Sequence, residues 1–438
     1  MRTTALFAAL TLACCVFTRT AQAEDLLDLL PLALAQDQTL ALAEATKRET
    51  DQDAPIARAA LLPQASATQT LTDTHGGDLS GDLGHLRERE LSATATQTLF
   101  SLSDIAAYRQ ARDKVSAGEQ TLRSARLSLY IRLVQAYFDV LIEQDLLQTY
   151  EAYEDAYRRE YEQTRVRLEQ GLSAQVDMNQ AKAYWLYIKS DRIKVANDLE
   201  SARQALATII GRPPGKLATL REDFPMTMPV PSDADAWVAR AIENNPDIAA
   251  DRASLSASEH AVTAARGGHL PTLQASFSYG KTGEWYTRSA SDPSYGRSEL
   301  AAGLTLSIPL FSGGSIQAQV RQTLAERDAA ISTLENQRRT SEASIRATFK
   351  ALQQGVTQVE AAHQAMQAAS ESVKSMQMGY EIGTQSLTNL VVAIGSLADS
   401  QAQYSTARHL FVENLLLLKQ AAGVLTPDDL AEVNRWLH

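Results

Sequence analysis

The sequence predicts an internally duplicated α+β fold, each half carrying a β-hairpin and a pair of long antiparallel coiled-coil helices. Three observations predict it. The first is a repeat at a near-constant offset: "LFS" at Leu99–Ser101 recurs at Leu310–Ser312, "LATIIG" (Leu206–Gly211) aligns with "LKQAAG" (Leu418–Gly423), and Gly383 lies 212 residues after Gly171. The second is helical length without breakers. Ser103–Gln170 and Ser315–Met378 contain no proline and one glycine each, Gly118 and Gly355. The third is a period-two alternation of apolar and polar residues ahead of each long stretch.

Residues 24–211 form the first repeat and 233–438 the second, joined by the proline-rich linker "RPPGKLATLREDFPMTMPVPS" at 212–232. Each repeat opens on a moderate helical region, Leu32–Ala60 and Asp233–Arg266, followed by Pro63 or Pro271. The hairpins come next, at about 62–100 and 270–311. Leu273, Ala275, Phe277 and Tyr279 alternate with Thr272, Gln274, Ser276 and Ser278. Leu300, Ala302, Leu304, Leu306 and Ile308 alternate with Ala301, Gly303, Thr305 and Ser307. The first half follows with Leu91, Ala93, Ala95 and Leu99 against Ser92, Thr94, Thr96 and Thr98. Such strands have one apolar and one polar face. Asp73–Glu90 and Lys281–Ser298 read as polar, glycine-rich loops between them. Two hairpins of this kind suit a barrel with a wet lumen, with Leu300, Leu304 and Ile308 toward lipid and Thr305 and Ser307 toward the lumen. Four strands leave open edges, and other copies of the chain are the simplest source of partners.

The helices after the strands carry an apolar stripe; Ile131, Val134, Phe138 and Leu141 step by three, four and three. A stretch of about 68 residues at 1.5 Å each is roughly 100 Å of helix, too long for the inside of a globule and suited to a coiled-coil cylinder. Gly171 and Gly383 end these helices, because glycine adopts the left-handed conformation that follows a helix C-terminus. Ser173 and Ser386 are candidate caps for return helices Ser173–Ile210 and Leu387–Ala422. The two glycine stretches are therefore hairpin tips, at the end farthest from the strands.

The N-terminus reads as an export signal. Arg2 precedes the apolar run Ala5–Phe17, and "AQA" (Ala21–Ala23) is a small-x-small cleavage site before Glu24. A lipid-carrying alternative at Cys14 lacks the usual leucine placement. Cys14 and Cys15 are the chain's only cysteines, so cleavage after Ala23 leaves none for disulfides. It also removes Arg2 and Arg19, leaving 39 basic against 52 acidic residues and a net charge of −13, which argues against nucleic acid as a partner. Beyond the signal no run reaches the roughly 18 apolar residues of a membrane helix, so an exported chain is either soluble or embedded as a β-barrel.

This ordered, duplicated pattern resembles the TolC family of outer-membrane channel proteins over essentially the whole mature chain. The residues that carry the resemblance are "YEIGT" (Tyr380–Thr384), "LFSGG" (Leu310–Gly314) and the ending "LLLLKQAAGVLTPDDLAEVNRWL" (Leu415–Leu437), which is similar to the members associated with type I secretion. The resemblance implies a homotrimer whose three four-stranded contributions close a 12-stranded outer-membrane barrel, continued by the helices as a periplasmic α-barrel. It implies an exit duct for protein or small-molecule cargo, with multidrug or metal efflux as the alternative to type I secretion. The partners it implies are outer-membrane lipid, a periplasmic membrane-fusion (adaptor) protein and an inner-membrane ABC or RND pump. It implies no catalytic residue, cofactor or metal. The tips Gly171, Leu172, Ser173, Gly383, Thr384 and Gln385 would meet the adaptor. Asp177, Tyr380, Gln385, Asn389 and Val392 would line the constriction, with Tyr380 bonded to Asp177 across neighbouring hairpins. The sequence departs from the family here: Asn389 and Val392 stand where well-known members carry two aspartates, and Gln385 replaces an arginine that locks the tip.

Other chemistry finds no residues to carry it. The seven histidines show no metal-ligand spacing, although His75 and His85 share a loop. No phosphate-binding loop or hydrolase elbow is present. A soluble periplasmic coiled-coil scaffold conflicts with the paired alternating segments, and an exported enzyme lacks any acid–base or nucleophile constellation.

Overall fold

The computed structural model describes residues 23–77, 83–286 and 295–438. The expected signal segment and Cys14 lie outside the described residues. The elements are α1 (Leu26–Gln36), α2 (Gln38–Thr50), α3 (Asp53–Ala59), β1 (Gln64–Gly77), β2 (Leu83–Phe100), α4 (Leu102–Glu169), α5 (Gln175–Ile210), α6 (Ala234–Asn244), α7 (Pro246–Gly267), β3 (Thr272–Tyr286), β4 (Tyr295–Ser307), α8 (Ser315–Glu381), α9 (Leu387–Ala421) and α10 (Pro427–Asn434). The duplication is evident in this order: short helices, two strands and two long helices occur twice. No described helix is long and apolar enough to cross a membrane.

Several boundaries differ from the sequence reading, each for a local reason. The first helical region starts earlier, at Leu26, because the Asp25 carboxylate accepts from the Asp28 amide at 2.8 Å and caps it. Pro31 sits inside α1, where burial of Leu26, Leu29, Leu30 and Ala33 outweighs one lost backbone bond. The region read as one helix over Asp233–Arg266 is two. Asn245 accepts from the amides of Asp247 and Ile248 at 2.8 and 3.2 Å, and Pro246 opens α7.

The strands pair in the order β1-β2-β3-β4, all antiparallel. Register decides the faces, since directly opposed residues lie on the same side. One row reads Ala67, Ala93, Tyr279 and Leu300; the next on that face reads Ala65, Ala95, Phe277 and Ala302. Between them on the other face lie Ser66, Thr94, Ser278 and Ala301. Leu304 pairs with Ala275 on the apolar face, and Thr305 pairs with Gln274 on the polar one. Leu300 and Leu304 are 67% and 71% exposed, so nothing among the described residues covers the apolar face there.

Three strand details correct the sequence reading. Ile308 lies one residue past the end of β4. An irregularity between Thr98 and Phe100 skips Leu99, so Phe100 rather than Leu99 pairs with Leu273 on the apolar face. The segments read as polar loops belong largely to the strands, which continue through Asp73–Gly77 and Leu83–Glu90. There the ladder carries charged and polar pairs instead of an apolar face: Arg87 donates to Asp73 at 3.0 Å and Arg89 to Gln69 at 3.2 Å. His75 and His85 are opposed in this ladder.

By contact density the described chain forms two compact units. One takes residues up to Gln38 with Leu127–Trp237 and Ile345–His438; the other takes Thr39–Arg126 and Val238–Ser344. The first unit holds a core of α1, the end of α5, α10 and the linker, with Leu29, Leu206, Ile210, Leu217 and Leu430 fully buried. Glu24 adds a parallel bridge to Leu217 of the linker, and Leu220 an antiparallel one to Leu437. Side chains fasten this small sheet. Tyr137 donates to the Ala218 and Glu24 carbonyls at 2.7 and 3.2 Å, and Arg408 donates to the Leu220 and Arg221 carbonyls at 3.1 and 2.6 Å. Arg132 grips the buried Asp37 with two bonds of 2.9 Å.

Within this unit Glu413 is a buried carboxylate. It is 8% exposed, its Oε1 meets no donor among the described residues, and burial first, then the Asp139 charge, pushes its pKa up to about 7. The folded chain therefore holds a proton on Glu413 that the unfolded chain has released. The resulting penalty is absent below pH 4.5, grows as pH rises to 7 and is constant above it. Glu413→Gln should leave the Tm of the detergent-solubilised protein unchanged at pH 4.5 and raise it at pH 8; an equal shift at both pH values would show that the side chain's charge is not the cause.

The faces make a second prediction. Leu304→Arg should cost about 2–4 kcal/mol, the range for arginine on the lipid face near a bilayer midplane. Thr305→Arg should cost much less and alter conductance instead. Denaturant titration of vesicle-inserted protein and planar-bilayer recording check the pair.

Candidate functional site at the helical hairpin tips

Both tips are built by the same backbone chemistry. At the first, the Gly171 amide donates to Leu168 O at 2.9 Å and the Leu172 amide to Arg167 O at 2.7 Å. At the second, Gly383 donates to Tyr380 O at 3.1 Å and Thr384 to Gly379 O at 2.8 Å. These are paired Schellman closures, and each needs a left-handed residue; φ is +73° at Gly171 and +79° at Gly383. A side chain there costs roughly 1–2 kcal/mol. The tips expose apolar residues, with Leu172, Val176 and Ile382 each more than 70% exposed.

The helices leaving the tips start differently. Ser386 accepts from the Asn389 amide at 3.2 Å and caps α9 as the sequence suggests. At the first tip the cap position belongs to Ala174, which has no side-chain acceptor. Asp177 takes over: its Oδ2 accepts from the Ala174 amide at 3.2 Å and from the Ser173 hydroxyl at 3.1 Å. Ser173 thus supports the start of α5 without being its cap, and the carboxylate sits where the helix dipole favours it.

Of the residues proposed for the constriction, the structure brings some together and separates others. The Asn389 side-chain amide donates to Gln385 Oε1 at 3.0 Å. Val392 is 62% exposed. Tyr380 and Asp177 are not paired within the chain. The Tyr380 phenol instead lies near Thr164 and Glu160 on α4, and the Arg167 guanidinium lies 5.1 Å from its ring centre. Burial raises the Tyr380 pKa first, the Glu160 carboxylate raises it further, and Thr164 and Arg167 oppose the rise. Glu160, Thr164 and Arg167 were not singled out from the sequence. Their only signal is spacing: i, i+4 and i+7 place all three on one face of α4.

Behind the tips a tyrosine-rich core ties the two helical hairpins together. Tyr153, Tyr157, Ala181, Ile188, Leu390 and Ile394 are buried in it. Tyr157 donates to Val391 O at 2.9 Å, Tyr153 to Gln401 at 2.9 Å, and Gln180 to Thr388 at 3.0 Å. Tyr161 stacks on Trp185 at 5.6 Å and 13°. No group of three or more His, Asp or Glu residues gathers as a metal-binding set among the described residues.

Comparison with known proteins places this architecture. The model of the family described as "Outer membrane efflux protein" matches residues 29–212 and again 237–424. The chain belongs to that family. This efflux-family protein is 28% identical to the outer membrane protein TolC of Escherichia coli (strain K12) over 96% of its own length and 86% of the relative's. It is 25% identical to the proteases secretion protein PrtF of Dickeya chrysanthemi over 95% and 92% of the two chains. In fold it is similar to the Campylobacter jejuni CmeC outer membrane channel, with a TM-score of 0.78, 17% identity and 95% and 90% coverage. The protein is an outer-membrane channel of an export system. The alternating sheet is its membrane part, and the long helices form its periplasmic tunnel.

Proposed function

We propose that three copies of this chain form the exit duct of a tripartite secretion system, with protein as cargo, and that the hairpin tips are where the duct narrows and meets a periplasmic adaptor. The observation that carries the trimer is the sheet: among the described residues it has four strands, an uncovered apolar face and unpaired outer edges on β1 and β4. Lipid supplies no hydrogen bonds to such edges, so they pair with the next copy, and three sheets of four strands make 12. Protein cargo is favoured by the similarity to secretion proteins: a second such relative, the alkaline protease secretion protein AprF of Pseudomonas aeruginosa, is 25% identical over 92% of this chain. An inner-membrane ABC pump supplies the energy in this reading. The exposed Leu172, Val176 and Ile382 beside the two glycines support the adaptor contact, since apolar side chains at a tip gain from a partner that removes them from water.

Two measurements test this. Cross-linking of the detergent-purified protein should trap dimers and trimers and nothing larger; a chain that stays monomeric and soluble without detergent would sink the proposal. Gly383→Trp should leave the assembled channel in the outer membrane while abolishing secretion through the complete pump. Normal secretion by that variant would remove the second tip from the adaptor contact.

A further inference from the structure

We infer that His75 and His85 form a site for a divalent transition-metal ion near the outward end of the β1–β2 hairpin, with the ion bridging the two strands.

The site stands on register. The two strands pair without a break from Gln64–Thr96 to Gly77–Leu83, and His75 is the residue directly opposite His85. The two are ten positions apart in the chain, a spacing with no meaning for a ligand pair until the ladder makes them neighbours. Directly opposed residues of an antiparallel pair share one side of the sheet, with Cβ atoms about 4.5–5.5 Å apart. From that separation two imidazoles can each bring a ring nitrogen to one ion, at the roughly 2.0–2.1 Å that zinc takes from histidine.

The ladder also fixes where the pair lies. On the face of Ala67 and Ala93 the following rows are Gln69–Leu91, Leu71–Arg89, Asp73–Arg87 and then His75–His85. The histidines therefore continue the outward face, two rows beyond Leu71. β1 follows α3 and β2 runs into α4, so the turn that joins the strands is at the end of the sheet away from the periplasmic helices. An ion from the external medium reaches this end without crossing the membrane. The neighbouring row does not repel it, because Arg87 donates to Asp73 at 3.0 Å and so carries its own counter-charge.

The donor set decides the class of ion. Neutral imidazole suits zinc, nickel and copper(II), whereas magnesium and calcium select oxygen. Two protein nitrogens leave the remaining positions to water. A bound ion ties β1 to β2 where the ladder no longer has an apolar face to hold it. Isothermal titration of the detergent-solubilised protein with zinc chloride tests the site, the protein being purified without a polyhistidine tag. One zinc ion should bind per chain. His75→Asn and His85→Asn should each weaken binding by at least about tenfold, the lower end of what even an outer-shell partner of a metal ligand is worth. The double variant should fall little further than either single change, since one imidazole alone does not make the site. His363→Asn should bind as the parent does. Zinc binding that survives His75→Asn or His85→Asn, or magnesium chloride competing equally with zinc, would place the ion on the acidic surface and overturn the inference.

Two further measurements separate the bridge from loose chelation. Leu86 is opposite Thr74, on the other face of the ladder. His85→Asn combined with Leu86→His keeps two histidines in the hairpin but on opposite faces, and should bind no better than His85→Asn alone. Parent-like binding by this variant would show that the register is not what holds the ion. Amide hydrogen exchange reads the bridge itself. With zinc at about a hundred times its Kd, the amides of Asp73–His75 and His85–Arg87 should exchange about a hundredfold more slowly, since parting the strands releases the ion. In His85→Asn the same zinc should leave their rates unchanged. Zinc that binds the parent without slowing these amides does not join the two strands, and the site is wrong.

Discussion

A β-sheet inside a bilayer must satisfy every backbone donor and acceptor without water, and the described residues of this chain supply four strands. Its sheet has one apolar and one polar face and two outer edges that pair with nothing among the described residues. An unpaired edge in hydrocarbon costs several kcal/mol per group. The apolar face forbids water on one side, and the Ser, Thr and Gln rows of the other face require it. A barrel with a wet lumen meets both demands, and the membrane part of the channel follows from that constraint.

The helical part obeys a different rule. Helices of 68 and 67 residues cannot be buried by one another at every turn, and α4 and α8 show long exposed stretches between buried positions. Stability is concentrated where side chains converge. One such place is the core around the linker, where Tyr137, Arg408 and Arg132 hold a few strand-like bonds in register. The other is the tyrosine-rich core behind the tips. Between the two lie helix faces with little to restrain them, and the core behind the tips holds the hairpin ends together.

Much of the membrane part was legible from the residues because strand alternation is a purely local code. Leu300 to Leu306 and Leu273 to Tyr279 announced their faces without knowledge of any partner. The ends of the strands were not legible. A charged run such as Arg87–Glu90 reads as a loop until it is seen opposite Asp73 and Gln69, since a hairpin that projects beyond lipid no longer needs an apolar face. The displaced alternation at Leu99 was hidden for the same reason: an irregularity in one strand is defined only by the register of its neighbour.

The sequence by itself determined the duplication, the lengths of the helices and the positions of both tips. Each of those is encoded in neighbouring residues, by repeat, by absence of breakers or by a glycine able to take positive φ. Only the tertiary structure decided what the tip residues touch. Tyr380 lies near Glu160 and Thr164 across more than 200 positions of chain, while Asp177 accepts from the amide of Ala174 three residues away. A carboxylate near a helix start is claimed first by the local unpaired amide. A tyrosine with no local partner is free for whichever buried polar pair the packing of α4 against α8 brings within reach.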